Sequence, residues 1–144
     1  MKILFMCTAN SCRSQIAETW ARHLLPGHWE IHSGGLLTYR ITSRTRNTMA
    51  EVGLDMNGQE SKTIDVYDLD DFDLIVTLSS EAGRFLPALT RPERHVHRPL
   101  DDPMSAEGSD EEIVEAFRVA RDSIRGLIER IAASQIIAEE SDAH

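Results

Sequence analysis

The sequence predicts one α/β domain, a four-stranded, mostly parallel sheet with helices on both faces. Three observations carry this. Strand-length apolar runs alternate with helix-length segments along all 144 residues, the pattern that crossover connections impose on a parallel sheet. The run Leu74-Ile75-Val76-Thr77-Leu78 is continuous and partly β-branched, as in a strand covered on both faces. A chain of this length buries a substantial core without disulfides, and its two cysteines share one loop.

The elements follow in order. Lys2–Met6 is the first strand, and Ser14–Leu25 the first helix, with Ala17, Trp20, Ala21 and Leu24 on one stripe and Pro26-Gly27 as its stop. Glu30–Ser33 is the second strand, after which Gly34-Gly35 open a loop. A second helix over Ser43–Val52 ends on Gly53, which suits a left-handed cap. Residues 55–72 are acidic and irregular, a surface loop with a short turn of helix. Asp73–Leu78 is the third strand, and Ser80–Leu89 a short helix interrupted at Pro87. Arg94–His97 is a fourth strand whose place in the sheet the pattern leaves open. The last helix starts on the capping box Ser109-Asp110-Glu111-Glu112. It turns Ile113, Phe117, Ala120, Ile124, Leu127 and Ile131 to the core. The domain thus spans residues 1–133, and residues 134–144 form an acidic flexible tail.

Composition excludes several functions. Asp plus Glu number 24 against 15 Lys plus Arg, a formal charge of −9 that opposes binding to nucleic acid phosphates. No apolar stretch is long enough to span a membrane, and the Ile-Leu-Phe-Met run is too short for a secretory signal. Two cysteines in one loop fit a reducing compartment, the cytoplasm. Cys7 and Cys12 have the wrong spacing for zinc, and His95 and His97 lie on one strand face without obvious partners, so neither metal nor cofactor is expected.

The chemistry concentrates in Cys7-Thr8-Ala9-Asn10-Ser11-Cys12-Arg13-Ser14, between the first strand and the first helix. Such a loop aims the backbone N–H groups of Thr8, Ala9, Asn10, Ser11, Cys12 and Arg13 at one point, at the positive end of a helix. A cysteine there is a nucleophile beside an anion cradle. Arg13 adds a planar fork of donors matched to two oxygens of a tetrahedral oxyanion. The long-range charge of the chain repels an anion, so these local donors must hold it. In an open parallel sheet ligands bind beyond the carboxyl ends of the strands. Cys7, Ser79 and Asp102 follow strands one, three and four and are expected to meet there.

The segment Cys-Thr-Ala-Asn-Ser-Cys-Arg-Ser-Gln at residues 7–15 resembles the anion loop of the low-molecular-weight protein tyrosine phosphatase superfamily. It is most similar to the arsenate reductases built on that fold, which carry Gln where phosphatases usually have Pro. The similarity runs over residues 2–132 and takes in His32-Ser33-Gly34, Glu51-Val52-Gly53-Leu54-Asp55, Ser61-Lys62-Thr63, Asp101-Asp102-Pro103 and the segment from Phe117 to Asp122. The resemblance implies that Cys7 attacks a small oxyanion, arsenate or phosphate, or a phosphomonoester. It implies that Ser14 donates its hydroxyl to the Cys7 sulfur, and that Asn10 braces the loop in an unusual backbone conformation. Asp102, fixed by Pro103 and next to Asp101, is implied as the general acid for the leaving oxygen.

The chain departs from that family in three places. Thioredoxin-linked reductases carry further cysteines after the third strand, where this chain has Ser79 and no Cys beyond Cys12. The second thiol is therefore Cys12 or an external thiol or redox protein, and a small packed Cys12 with a protective redox role is the competing reading. Tyrosine phosphatases carry aromatics beside the Asp-Pro turn, whereas Met104-Ser105-Ala106-Glu107 follow here and the loop after Gly35 offers only Tyr39, next to Arg40. Some relatives bind potassium near the loop; Glu18 and Ser33 match that site, and the Lys62 ammonium is a candidate replacement for the ion. The reading is an arsenate reductase-like enzyme. A low-molecular-weight tyrosine phosphatase and a noncatalytic oxyanion or redox sensor are the alternatives.

Overall fold

The computed structural model describes residues 1–133, so the expected tail at 134–144 lies outside the described residues. Strand β1 (Lys2–Cys7) lies inside a four-stranded sheet of order β2-β1-β3-β4 with β2 (Glu30–Gly35), β3 (Leu74–Thr77) and β4 (His95–His97). Every pairing is parallel, with Ile3 opposite both Ile31 and Leu74, and Val76 opposite Val96. The chain passes from β1 to β2 on one side and then to β3 on the other. The order therefore reverses beside β1, and the crevice of a doubly wound sheet opens at that strand's carboxyl end. β4 takes the edge position that the pattern left open.

Alternation along β1 divides the core. Ile3 and Phe5 face one layer with Ile16, Trp20, Phe117, Ile124 and Ile128, which lie on α1 (Arg13–Leu24) and α4 (Asp110–Ala132). Leu4 and Met6 face the other with Ile64, Phe72, Ile75 and Ala82. The Trp20 indole donates to the Arg121 carbonyl at 3.0 Å and ties α1 to α4. α2 (Ser43–Ala50) joins the same layer through Glu51, at its end, whose carboxylate Arg118 and Arg121 hold down at about 2.

Several boundaries differ from expectation for local reasons. Leu25 is extended, with φ −91° and ψ 160°, because Pro26 disfavours a helical residue before it. α2 stops two residues before Val52, and Gly53 has φ +79°. β2 runs on through Gly35, since these glycines continue the strand against Met6 and Cys7. A Cβ at Gly35 would lie 2.7 Å from the Asn10 nitrogen and 2.6 Å from the Leu37 oxygen, so only glycine lets the Cys7–Ser14 loop come this close. The third helix, α3, is only Ser80–Arg84 and ends before Pro87. The irregular stretch holds two 3₁₀ turns, Ile64–Val66 and Leu69–Asp71. On α4 the inward residue is Ile128, fully buried, with Leu127 at the rim. At about 100° per residue, position 128 lies nearer the line through Phe117 and Ile124 than position 127 does. No helix among the described residues is long and apolar enough to cross a membrane.

Candidate active site

β1 ends at Cys7 and α1 begins at Arg13, so residues 8–12 form the link. The α1 N-cap, Cys12, gives no side-chain hydrogen bond to the helix, which leaves the first amides of α1 available to a ligand. Asn10 sits at φ +46°, a region few residues other than glycine tolerate. Its amide, wholly buried, fixes that conformation. Nδ2 donates to Ser14 Oγ at 2.8 Å and to Ser33 Oγ at 3.0 Å. Oδ1 accepts from the Lys62 backbone at 2.7 Å and from Gln15 Nε2 at 3.0 Å.

The donor directions then follow. Ser33 Oγ donates to Glu18 Oε1 at 2.6 Å, so towards Asn10 it accepts. Ser14 Oγ likewise accepts from Asn10, and it lies 2.8 Å from Cys7 Sγ, where its own hydrogen is free to point at the sulfur. The buried Glu18 carboxylate is matched by Arg22 at 3.0 Å. The cation on Glu18 is thus Arg22, one helical turn on, and the expected ammonium replacement by Lys62 gives way to a backbone role: its N–H meets Asn10 and its carbonyl accepts from Gly35 at 2.9 Å.

Arg13 is buried and points from the loop towards the segment after β4. One terminal nitrogen donates to the Leu100 carbonyl at 2.8 Å, and the other lies 3.7 Å from Asp102 Oδ2. Asp102 caps the 3₁₀ turn Pro103–Ser105 through Oδ1, which accepts from the Met104 N–H at 3.0 Å, and its side chain stays 37 % exposed. Ser79 caps α3, accepting from the Ala82 N–H, and its hydroxyl meets Thr8 Oγ1 at 3.0 Å. The three strand ends therefore meet around the loop as the topology required.

Cys12 differs from Cys7. It is packed in the apolar layer beside Ile16, and burial pushes its thiol up to about 12, against a smaller opposing effect of the Thr45 hydrogen bond. His95 and His97 do have a partner: Thr77 Oγ1 lies 2.7 Å from one ring and 2.6 Å from the other.

Sequence reasoning missed the outer brace. Gln15 Nε2 also meets the Asn10 carbonyl at 3.1 Å and the Glu60 carbonyl at 3.0 Å, and Ser61 Oγ donates to the Ala9 carbonyl at 3.1 Å. Glu81 was missed too; its carboxylate lies 3.2 Å from Thr8 Oγ1. The paired glycines at 34 and 35 were the one local sign that another backbone passes close by.

The sequence profile of the Low molecular weight phosphotyrosine protein phosphatase family matches residues 2–139. The chain belongs to this family. Within it, an arsenate reductase of Halalkalibacterium halodurans is 41 % identical over 130 residues, 90 % of this chain and 94 % of the relative. A solved arsenate reductase in its phosphate-binding state superposes with a TM-score of 0.73 at 31 % identity, covering 92 % of this chain and 97 % of that one. The low molecular weight protein tyrosine phosphatase of T. tengcongensis shares the fold, with a TM-score of 0.78 at 22 % identity over 93 % of this chain and 99 % of that one. The chain is an enzyme of this family, and arsenate reductases are among its relatives in sequence.

Proposed function

We propose that this enzyme reduces arsenate with electrons from an external thiol. One observation carries the reading: Cys7 Sγ is hydrogen-bonded by Ser14 at 2.8 Å at the mouth of the loop that Arg13 closes, with Asp102 3.7 Å from the guanidinium. Arsenate lies among the amides of residues 8–13, with two oxygens on Arg13. The Cys7 thiolate attacks arsenic, and one arsenic–oxygen bond breaks. Asp102 gives its proton to that oxygen, which leaves as water. A thiolate then attacks the Cys7 sulfur; the sulfur–arsenic bond breaks, its electron pair stays on arsenic, and arsenite departs. A second thiol displaces Cys7 from the mixed disulfide. In sum, arsenate and two thiols give arsenite, one disulfide and water.

The reductant is external in this reading because Cys12 stays protonated in its apolar packing. Such a cycle needs a reducing compartment, as the cytoplasm provides. A small oxyanion suits the site better than an aryl phosphate. Tyr39 is 46 % exposed and stacked under Arg40, and no aromatic occurs between Pro103 and Phe117. The test is arsenite production from arsenate with small thiols and with thioredoxin- or glutaredoxin-type proteins, beside hydrolysis of para-nitrophenyl phosphate. Arsenite with at least one donor and slow ester hydrolysis is the expected outcome. Efficient hydrolysis without arsenite would make the enzyme a phosphatase, and oxyanion binding without turnover a sensor.

A further inference from the structure

Beside the anion loop, on the α2 side, runs a groove of about 400 Å³, within the size range of small-molecule sites, roughly 300–1,000 Å³. Its floor is apolar, from Pro103, Met104, Ile113 and Phe117, and its rim carries Arg40 and Arg44. The groove is coupled to the reacting centre through Ser11. The Ser11 hydroxyl, within the anion loop, donates to the Arg40 carbonyl at 2.6 Å and lies 3.5 Å from the Met104 sulfur. Pro103, which lines the groove, directly follows Asp102, the residue read above as the general acid.

The charges on the rim run against those of the chain. In a molecule of net charge −9, two guanidinium groups line one small groove. Arg40 is exposed and rests over the Tyr39 ring at 5.2 Å, with no carboxylate partner among the described residues. Arg44 meets Asp110 at 3.1 Å, but that carboxylate is 93 % exposed, and an exposed pair of this kind is weak enough to exchange partners. An apolar floor with two forked cationic donors on the rim matches a small molecule with an apolar or thioether-like stem and one or more carboxylates.

Resting on the arsenate reductase reading, we propose that this groove is the subsite for the reducing cosubstrate, a low-molecular-mass thiol bearing carboxylates. Arg40 and Arg44 take its carboxylates and the Met104–Phe117 floor its stem. Its sulfur then points past Asp102 at the Cys7–arsenic adduct, where it forms the mixed disulfide with Cys7 and releases arsenite. The groove selects against neutral and cationic thiols, and neither arginine touches arsenate.

The test compares glutathione, 2-mercaptoethanol and cysteamine as reductants of the whole enzyme at saturating arsenate. In the double variant Arg40→Ala/Arg44→Ala, the ratio of kcat/KM for glutathione over that for 2-mercaptoethanol falls about tenfold or more, as expected on loss of one or two charge-assisted bonds. The change lies in KM for glutathione. The variant Arg40→Glu/Arg44→Glu moves the preference towards cysteamine. A ratio that is the same in wild type and both variants overturns the proposal. So does an enzyme that makes arsenite with a glutaredoxin- or thioredoxin-type protein but with none of the three small thiols; the reductase reading survives that result. An enzyme that makes no arsenite with any donor defeats the reductase reading itself, and the thiol subsite with it.

Discussion

The loop from Cys7 to Ser14 and the turn from Asp101 to Ser105 face each other across Arg13, and they are held in opposite ways. The loop is buried and overdetermined. The Asn10 side chain alone has four partners, drawn from α1, β2 and the segment before Thr63. The turn's own hydrogen bonds run from Met104 and Ser105 to Asp102, its buried Pro103 packs it beside α4, and it touches the loop by way of Arg13 at 3.7 Å and the Ser11–Met104 contact. The difference fits the tasks proposed for the two regions. A group that holds an anion gains from donors that do not have to reorganise as charge develops. A group that moves a proton, and beside which a second substrate must arrive, can sit on an exposed turn.

If this contrast is right, substitutions in the two regions separate stability from catalysis. Asn10→Ala has the largest expected effect. It leaves the Lys62 N–H and other buried polar groups unpaired and puts a less tolerant residue at positive φ. The expected loss is about 3 kcal/mol of stability, read by denaturant unfolding, along with most of the activity. A variant as stable as wild type would mean that the brace is dispensable. Asp102→Asn is next: kcat for arsenate falls about 10²-fold or more, with the unfolding midpoint nearly unchanged, as loss of a general acid on an exposed turn predicts. An equal fall in stability would show the turn to be structural. Cys12→Ala has the smallest effect on turnover, within about threefold, because a thiol held near 12 in apolar packing supplies few thiolates. In wild-type protein, mass spectrometry after iodoacetamide treatment up to pH 9 finds Cys12 unmodified. A large loss of turnover in Cys12→Ala, or ready alkylation, would return Cys12 to the role of second thiol.

The same contrast marks what could be read from the sequence. The placement of Cys7, Arg13 and the loop between them was legible because they are contiguous, and the strand before and helix after them have strong local patterns. The meeting of Cys7, Ser79 and Asp102 followed from parallel topology alone. What was illegible depended on residues far apart in the chain. Nothing local to Gln15, Glu60, Ser61 or Lys62 says that they close around Asn10. Lys62 looked like a cation near Glu18, but Arg22, a helical turn from Glu18, reaches it instead. Thr77 gave no sign that it serves both His95 and His97, since β3 and β4 pair only in the folded sheet. The choice between Leu127 and Ile128 turned on a small difference of angle on one helix, which the simple alternation of four and three does not resolve.

The central claim is that the Cys7 sulfur attacks an oxyanion held by the rest of the loop. Cys7→Ser tests it most directly, with arsenite formation and phosphate binding measured on the same preparation. The expected result is arsenite at the background rate with phosphate still bound, since Arg13 and the loop amides remain in place. Arsenite formed by Cys7→Ser at a rate near that of wild type would contradict the claim.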